Sequence, residues 1–111
     1  MISDHRSDAR VSVFIGGDLY RERGSDRFAR VLVKDVSATG LKVETLEPLT
    51  SGLKVFIDFQ VGENVFVQVP VRVERVQSHA GSYQSGLSFQ DEDVRQDVRK
   101  ALAKLFGTNG G

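Results

Sequence analysis

Two short polar segments contain the residues whose types and spacing could form a binding site. One is the turn from Asp35 to Gly40, with sequence Asp-Val-Ser-Ala-Thr-Gly. The side chains of Asp and Ser bond nearby amides in turns, and Gly adopts positive φ, so turn formation alone explains this composition. The same groups suit a ligand, because a carboxylate accepts two parallel N–H bonds from the Watson–Crick edge of guanine while Ser37 and the Gly40 backbone line a pocket. Both interpretations of the turn stay open.

The other segment places Arg6 and Arg10 four residues apart. The same spacing recurs at two other arginine pairs, namely Arg23 with Arg27 and Arg95 with Arg99. The last pair falls on a predicted helix, where such residues share a solvated face. Arg6 and Arg10 differ in standing just before a predicted strand, in a segment too polar to pack. They form either a charged tail or a ligand-binding arm.

Composition excludes several kinds of chemistry. The chain has 111 residues, a length typical of one domain, with 15 basic and 15 acidic side chains and no cysteine. Disulfides, thiolate metal sites and cysteine nucleophiles are therefore absent, and the two histidines, His5 and His79, are too few for a His-rich metal site. No arrangement of residues indicates a catalytic group, so we expect neither an enzyme nor a cofactor. Zero net charge argues against DNA or RNA as a partner.

The sequence also carries no sign of export or of membrane insertion. The first ten residues are polar and charged, unlike the apolar core of a signal peptide. No stretch approaches the roughly 18 consecutive apolar residues of a membrane span. We therefore expect a cytoplasmic protein.

Period-two alternation dominates the chain and predicts six strands. The clearest example has five valines, at positions 65, 67, 69, 71 and 73, on one face. The phase then slips at Val76, which predicts a bulge near Glu74 and Arg75. Pro70 predicts that this strand lies at an edge or is bulged there. The other alternating runs begin near positions 11, 27, 41, 53 and 83.

Turn residues and a change of period complete the predicted architecture. Gly16-Gly17-Asp18 and Gly24-Ser25-Asp26 predict the two ends of a loop between the first two strands. After Phe89, apolar residues recur at helical spacing to Leu105, and Gly107 is suited to end the helix. We predict a mainly β fold, a six-stranded antiparallel β-barrel capped by a C-terminal α-helix. Residues 1–10 would be a flexible arm, 11–106 the barrel and helix, and 107–111 a mobile tail.

The order of these motifs resembles the PilZ domain over nearly the whole chain. The R-x-x-x-R pair precedes the first strand, D-x-S-x-x-G follows the second, and residues 83–89 resemble the family's G-hydrophobic-x-F strand. PilZ domains are bacterial receptors for the second messenger cyclic di-GMP. The resemblance implies a PilZ-like barrel of the split-barrel type, which agrees with the six-stranded antiparallel barrel that the alternation predicts.

The resemblance implies a ligand and a set of binding residues. Arg6 and Arg10 would bind the phosphates and guanine edges of cyclic di-GMP, while Asp35, Ser37 and Gly40 would receive a guanine base. Arginine forks match both phosphates and the O6/N7 pair of guanine. Three further positions are candidates: His5, where many members have arginine, Arg75, where some carry a stacking aromatic, and Gly86 in the late motif. His5 leaves open whether one ligand or two are bound, and Arg75 is equally well explained as an exposed strand residue.

The mechanism expected from this resemblance is ligand-driven ordering. Ligand between the arginine arm and the turn would hold the arm against the barrel and change the surface presented to an unidentified effector protein. Two alternatives remain. One is a PilZ-like module that binds a protein without ligand. The other is a small barrel that binds single-stranded nucleic acid, which the zero net charge disfavours.

Overall fold

The computed structural model describes residues 10–105 as a closed barrel of six antiparallel strands followed by one helix. The barrel order is β1-β2-β3-β6-β5-β4, so the late strand β6 lies between β3 and β5. This confirms the predicted fold class. The elements are β1 (Val11–Tyr20), β2 (Arg27–Val36), β3 (Gly40–Thr45), β4 (Lys54–Val61), β5 (Asn64–His79), β6 (Ser82–Phe89) and α1 (Glu92–Leu105).

The barrel interior is filled by the inward-facing residues of the alternating strands. Val33, Val43, Ile57, Val71 and Phe89 are fully buried there. Helix α1 adds Val98, Ala101 and Leu102 to the same cluster. The Asp91 carboxylate accepts a hydrogen bond from the Asp93 N–H at 3.0 Å and so caps the start of this helix. Burial of the apolar face of each element stabilises the closed shape.

The five-valine face is divided by a bulge that sequence alternation did not predict. The β4–β5 register shifts between Ile57 and Phe59, and Gln68 has a φ of 52°. The extra residue reverses the parity of the strand. Val69 is buried, whereas Val65 and Val67 are 65% and 64% exposed. In their place Phe66 stacks on Phe59, with 4.8 Å between ring centroids.

The predicted loop at Gly16-Gly17-Asp18 is wrong, because β1 continues through it to Tyr20. Gly17 is needed inside the strand, since a β-carbon there would lie 2.7 Å from the carbonyl oxygen of Asp58. The connection to β2 is the short turn at residues 21–26. Gly17 therefore allows β1 to pack closely against β4 and does not form a turn.

The predicted features of β5 are found with one qualification. A register shift between Val73 and Arg75 confirms the bulge there. The bulge that Pro70 also allowed is found two residues before it, at Gln68. Pro70 is not at a free edge, because it pairs with Phe56 of β4. It precedes the first β5–β6 pair, Val71 with Phe89, and its carbonyl accepts the Gln90 N–H at 3.1 Å. The missing N–H of proline therefore costs no hydrogen bond within the β5–β6 ladder.

The predicted arm at 1–10 and tail at 107–111 lie almost wholly outside the described residues, so these boundaries stay predictions. Between residues 10 and 105, α1 is too short and too polar to span a membrane.

Candidate functional site

A groove of about 400 Å³ runs over the outer face of β3, β6 and β5. Its volume lies within the range of small-molecule sites. It brings together residues far apart in the sequence. The groove is lined by Arg10, Ser37, Thr39, Gly40, Leu41, Lys42, Glu74, Arg75, Gln77, Gln84, Ser85, Gly86, Leu87 and Ser88.

The groove floor is a single row of residues across neighbouring strands. Lys42 of β3 lies opposite Gly86 of β6, which in turn lies opposite Arg75 of β5. A β-carbon on Gly86 would meet no atom within 4 Å. The absence of a side chain there opens the space between the two cations. Gly86 therefore leaves the sheet surface open at this point.

Gly40 has a structural role besides any contact with a ligand. A β-carbon at this position would overlap the carbonyl oxygen of Leu87 and lie 3.2 Å from the α-carbon of Ser88. The chain also closes on β6 through the Phe89 N–H, which donates to the Thr39 carbonyl at 3.0 Å. Glycine is thus required where β3 begins, because backbone occupies the space of a side chain.

Ser37 is buried and organises the turn before β3. Its N–H donates to the Gly40 carbonyl at 2.9 Å, and its hydroxyl accepts from the Thr39 N–H at 3.3 Å. The hydroxyl also lies 3.2 Å from that of Thr39. The structural interpretation of this turn therefore accounts for Ser37 and Gly40, and both residues still line the groove.

Asp35 lies beside the groove rather than in its lining. One carboxylate oxygen accepts from the Ser12 hydroxyl at 3.3 Å, and the other lies 3.7 Å from the Lys42 ammonium. Asp35 pairs with Lys42 across β2 and β3, so it extends the Lys42–Gly86–Arg75 row to a fourth strand. Its side chain is largely shielded from solvent, and Lys42 links it to the groove.

Arg10 is exposed and lines the groove. Arg6 and His5 lie outside the described residues. Of the eight residues proposed from the sequence, the structure thus brings five to the groove: Arg10, Ser37, Gly40, Arg75 and Gly86.

Lys42 and Glu74 line the groove as well, although no sequence motif indicated them as site residues. Alternation alone places Lys42 on the outer face two residues after Gly40, a signal available before the structure. Alternation likewise places Glu74 on the outer face, directly after the buried Val73, and the β5 bulge turns Arg75 outward beside it, so both are exposed. Its carboxylate accepts from the Ser88 hydroxyl at 2.6 Å and lies 3.8 Å from Arg72.

The groove is positively charged among the described residues. Arg10, Lys42 and Arg75 contribute three cations to its lining, against the single carboxylate of Glu74. Such a groove suits a small anion more than a cation. Within residues 10–105 no cluster of His, Cys, Asp or Glu could hold a metal ion.

Glu44, at the neighbouring row of β3, is already engaged. A hydrogen bond from the Ser82 hydroxyl, aided by Lys34 at 3.5 Å, lowers the pKa of this carboxyl below its usual value. The Glu44 carboxylate is thus engaged by the hydrogen bond from Ser82 and the ion pair with Lys34. It does not belong to the groove lining.

Comparisons with known proteins agree on one family. The family model described as the PilZ domain matches residues 4–107. YcgR from Escherichia coli, solved with c-di-GMP, is 16% identical, with a TM-score of 0.69 over 90% of this chain and 45% of that one. MrkH from K. pneumonia, also solved with c-di-GMP, is 18% identical, with a TM-score of 0.69 over 94% and 52%.

A third structure, a tetrameric PilZ domain protein from Xanthomonas campestris, is 16% identical with a TM-score of 0.58 over 78% of this chain and 50% of that one. The chain therefore spans about half the length of these structures. At such low identities the likeness shows the fold. Curated protein sequences give no significant match.

Proposed function

This chain belongs to the PilZ domain family, and from that premise we propose that it is a receptor for cyclic di-GMP. The observation that carries the proposal is the cationic groove, in which Arg10, Lys42 and Arg75 surround the open floor at Gly86. Cyclic di-GMP has two anionic phosphodiesters and two flat bases. A groove lined by cations, with an unobstructed glycine floor, complements both.

The binding residues follow from the family motifs and from the groove. Arg6 and Arg10 bind phosphate and the O6/N7 edge of guanine, while Asp35 accepts N–H bonds from a base. Ser37 and Gly40 shape the turn at which that base arrives. Arg75 binds phosphate or stacks on a base next to Gly86, and His5 is a further contact in the N-terminal segment.

Asp35 must exchange partners when guanine binds. In the structure its carboxylate faces Ser12 and Lys42. A partly exposed ion pair of this kind contributes at most about 1 kcal/mol, so its replacement by two N–H donors of a base is energetically feasible. Lys42 is then released toward the ligand phosphates.

The output of binding in this proposal is a changed protein contact. Arg10 stands directly before β1, so a ligand that bridges Arg10 and the groove also positions the N-terminal segment carrying Arg6 against the barrel. The new surface is the one that an effector protein recognises. The chemistry is binding alone, without catalysis.

Calorimetric titration of the full chain with cyclic di-GMP tests the function. The wild type should bind, and Arg6→Ala or Arg10→Ala should weaken binding about 10–100-fold, the loss of one charge-assisted contact of about 1.5–3 kcal/mol. Arg99→Ala, on the exposed face of α1, is the matched control and should bind normally. No binding by the wild type would contradict the function and favour a ligand-independent interaction module. Unchanged affinity in both arginine variants would contradict the site.

A further inference from the structure

We propose that Glu74 accepts hydrogen bonds from a guanine base in the groove and so contributes to ligand selectivity, an inference that rests on the proposed function. The carboxylate expected from the motif, Asp35, lies outside the groove lining. Glu74 is the carboxylate that the described part of the chain places inside it.

Strand alternation and the bulge in β5 together bring Glu74 and Arg75 side by side to the groove. Arg72 pairs with Ser88 and Val73 with Leu87, but the next pair is Arg75 with Gly86. Glu74 is therefore the extra residue. Alternation after the buried Val73 already turns Glu74 outward, and the extra residue turns Arg75 outward as well, where regular alternation would bury its charge.

The hydrogen bond that the Glu74 carboxylate accepts orients it and leaves it able to accept more. One oxygen receives the Ser88 hydroxyl at 2.6 Å, which fixes the side chain along β6. The other oxygen is 3.8 Å from Arg72, too long for a hydrogen bond. A carboxylate has about four acceptor sites, so a planar base with two N–H donors can still be received.

The negative charge of Glu74 also needs an explanation, because the ligand proposed for this groove is an anion. A carboxylate in a groove that receives an anionic ligand repels the ligand phosphates, and hydrogen bonds from donors of that ligand to the carboxylate can offset this repulsion. Guanine offers two adjacent donors, at N1 and at the 2-amino group, whereas adenine lacks this pair. Glu74 would therefore favour guanine over other bases. Its repulsion of the ligand would be offset only when the base supplies both N–H donors, which makes binding selective.

The two carboxylates stand on opposite sides of the glycine floor. Asp35 lies on β2 and Glu74 on β5, three strand spacings apart, or about 14 Å. Cyclic di-GMP carries two guanines on one ring. In this arrangement Asp35 receives one base and Glu74 the other, with Lys42 and Arg75 between them for the phosphates.

A binding cycle tests the role of Glu74 separately from the function as a whole. Calorimetry compares the wild type and Glu74→Gln, each with cyclic di-GMP and with cyclic di-IMP, which lacks only the 2-amino groups. We expect Glu74→Gln to bind cyclic di-GMP about 10–100-fold more weakly. The affinity lost on changing to cyclic di-IMP should be smaller in the variant than in the wild type, because one acceptor of the amino group is gone.

Matched variants separate this effect from general electrostatics and from misfolding. Glu63→Gln makes the same charge change in the exposed β4–β5 turn and should leave affinity unchanged. The amide that Glu74→Gln introduces keeps an oxygen that can accept from Ser88, and an unaltered thermal midpoint checks the fold. Equal or tighter binding of cyclic di-GMP by Glu74→Gln, or an equal loss with cyclic di-IMP, overturns the inference while wild-type binding upholds the function. A wild type that binds neither ligand overturns both.

Discussion

A β-carbon on Gly40 would overlap the carbonyl oxygen of Leu87, whereas one on Gly86, two strand positions away across the same ladder, would meet open space. The two glycines of the groove therefore have different roles. Gly40 lets β3 approach β6, and Gly86 leaves room for a ligand.

Alanine at these two glycines should separate stability from binding. Gly40→Ala should lower the free energy of unfolding by about 1–3 kcal/mol, because backbone must move to admit the methyl group. Gly86→Ala should leave it unchanged or raise it by up to about 1 kcal/mol, since alanine loses less entropy on folding. Urea denaturation measures both. Equal stability losses would contradict the distinction.

The same Gly86→Ala variant should bind cyclic di-GMP more weakly, because its methyl group fills the floor between Lys42 and Arg75. The expected loss is at least about tenfold, as for a ligand lifted away from one charged contact. Calorimetry on a variant of proven stability measures it. Normal affinity would show that the ligand does not lie over Gly86.

Arg75 should contact the ligand and not be merely an exposed residue of β5. Arg75→Ala should weaken binding about tenfold at about 0.1 M salt, and the difference from wild type should shrink at about 1 M, where the Debye length falls from about 10 Å to about 3 Å. Arg99→Ala removes an equal charge from α1 and serves as the control. A salt-independent difference would indicate lost packing instead of lost charge.

Phe14 should be replaceable by glycine with a gain in stability. Phe14 has a φ of 50° in a β1 bulge and is 63% exposed, so it holds a left-handed conformation with little burial to offset the strain. Phe14→Gly should raise the free energy of unfolding by roughly 0.5–1 kcal/mol, the strain of about 1–2 kcal/mol less the added entropy of glycine. Val65→Gly, also exposed but without positive φ, should have the opposite sign. Urea denaturation of both variants is the measurement.

Tyr20 should make the free energy of unfolding decrease as the pH rises into the alkaline range. Its hydroxyl donates to the Asp58 carboxylate at 2.8 Å, and this hydrogen bond raises the pKa of Tyr20 above its usual value of 10.0. The stabilisation of the fold by this hydrogen bond is complete below pH 10, the usual pKa of tyrosine, and is lost as the pH rises through the higher pKa of the folded state. Tyr20→Phe should therefore be less stable than wild type at about pH 7–9, with a deficit that shrinks above about pH 10. A constant deficit in thermal unfolding would contradict this linkage.

Sequence alternation determined the fold class, because a half-buried strand shows its period directly in the order of apolar and polar residues. It placed Val33, Val43 and Val71 in the interior, and the change to helical spacing located α1. Alternation failed where an extra residue enters a strand. Val65 and Val67 were predicted inside and are exposed, because the bulge at Gln68 reverses every side chain before it.

The motifs alone named the family and most of the candidate residues, since side-chain type and order along the chain carry that information. Only the tertiary structure decided which of them share a surface. It placed Arg75 opposite Gly86, set Asp35 against Lys42 beside the groove, and turned Glu74 into it. Arg75 with Gly86 and Asp35 with Lys42 pair within hairpins whose registers are shifted by bulges, and the pairing of Lys42 with Gly86 joins strands distant in sequence. No local pattern specifies these registers or this long-range pairing.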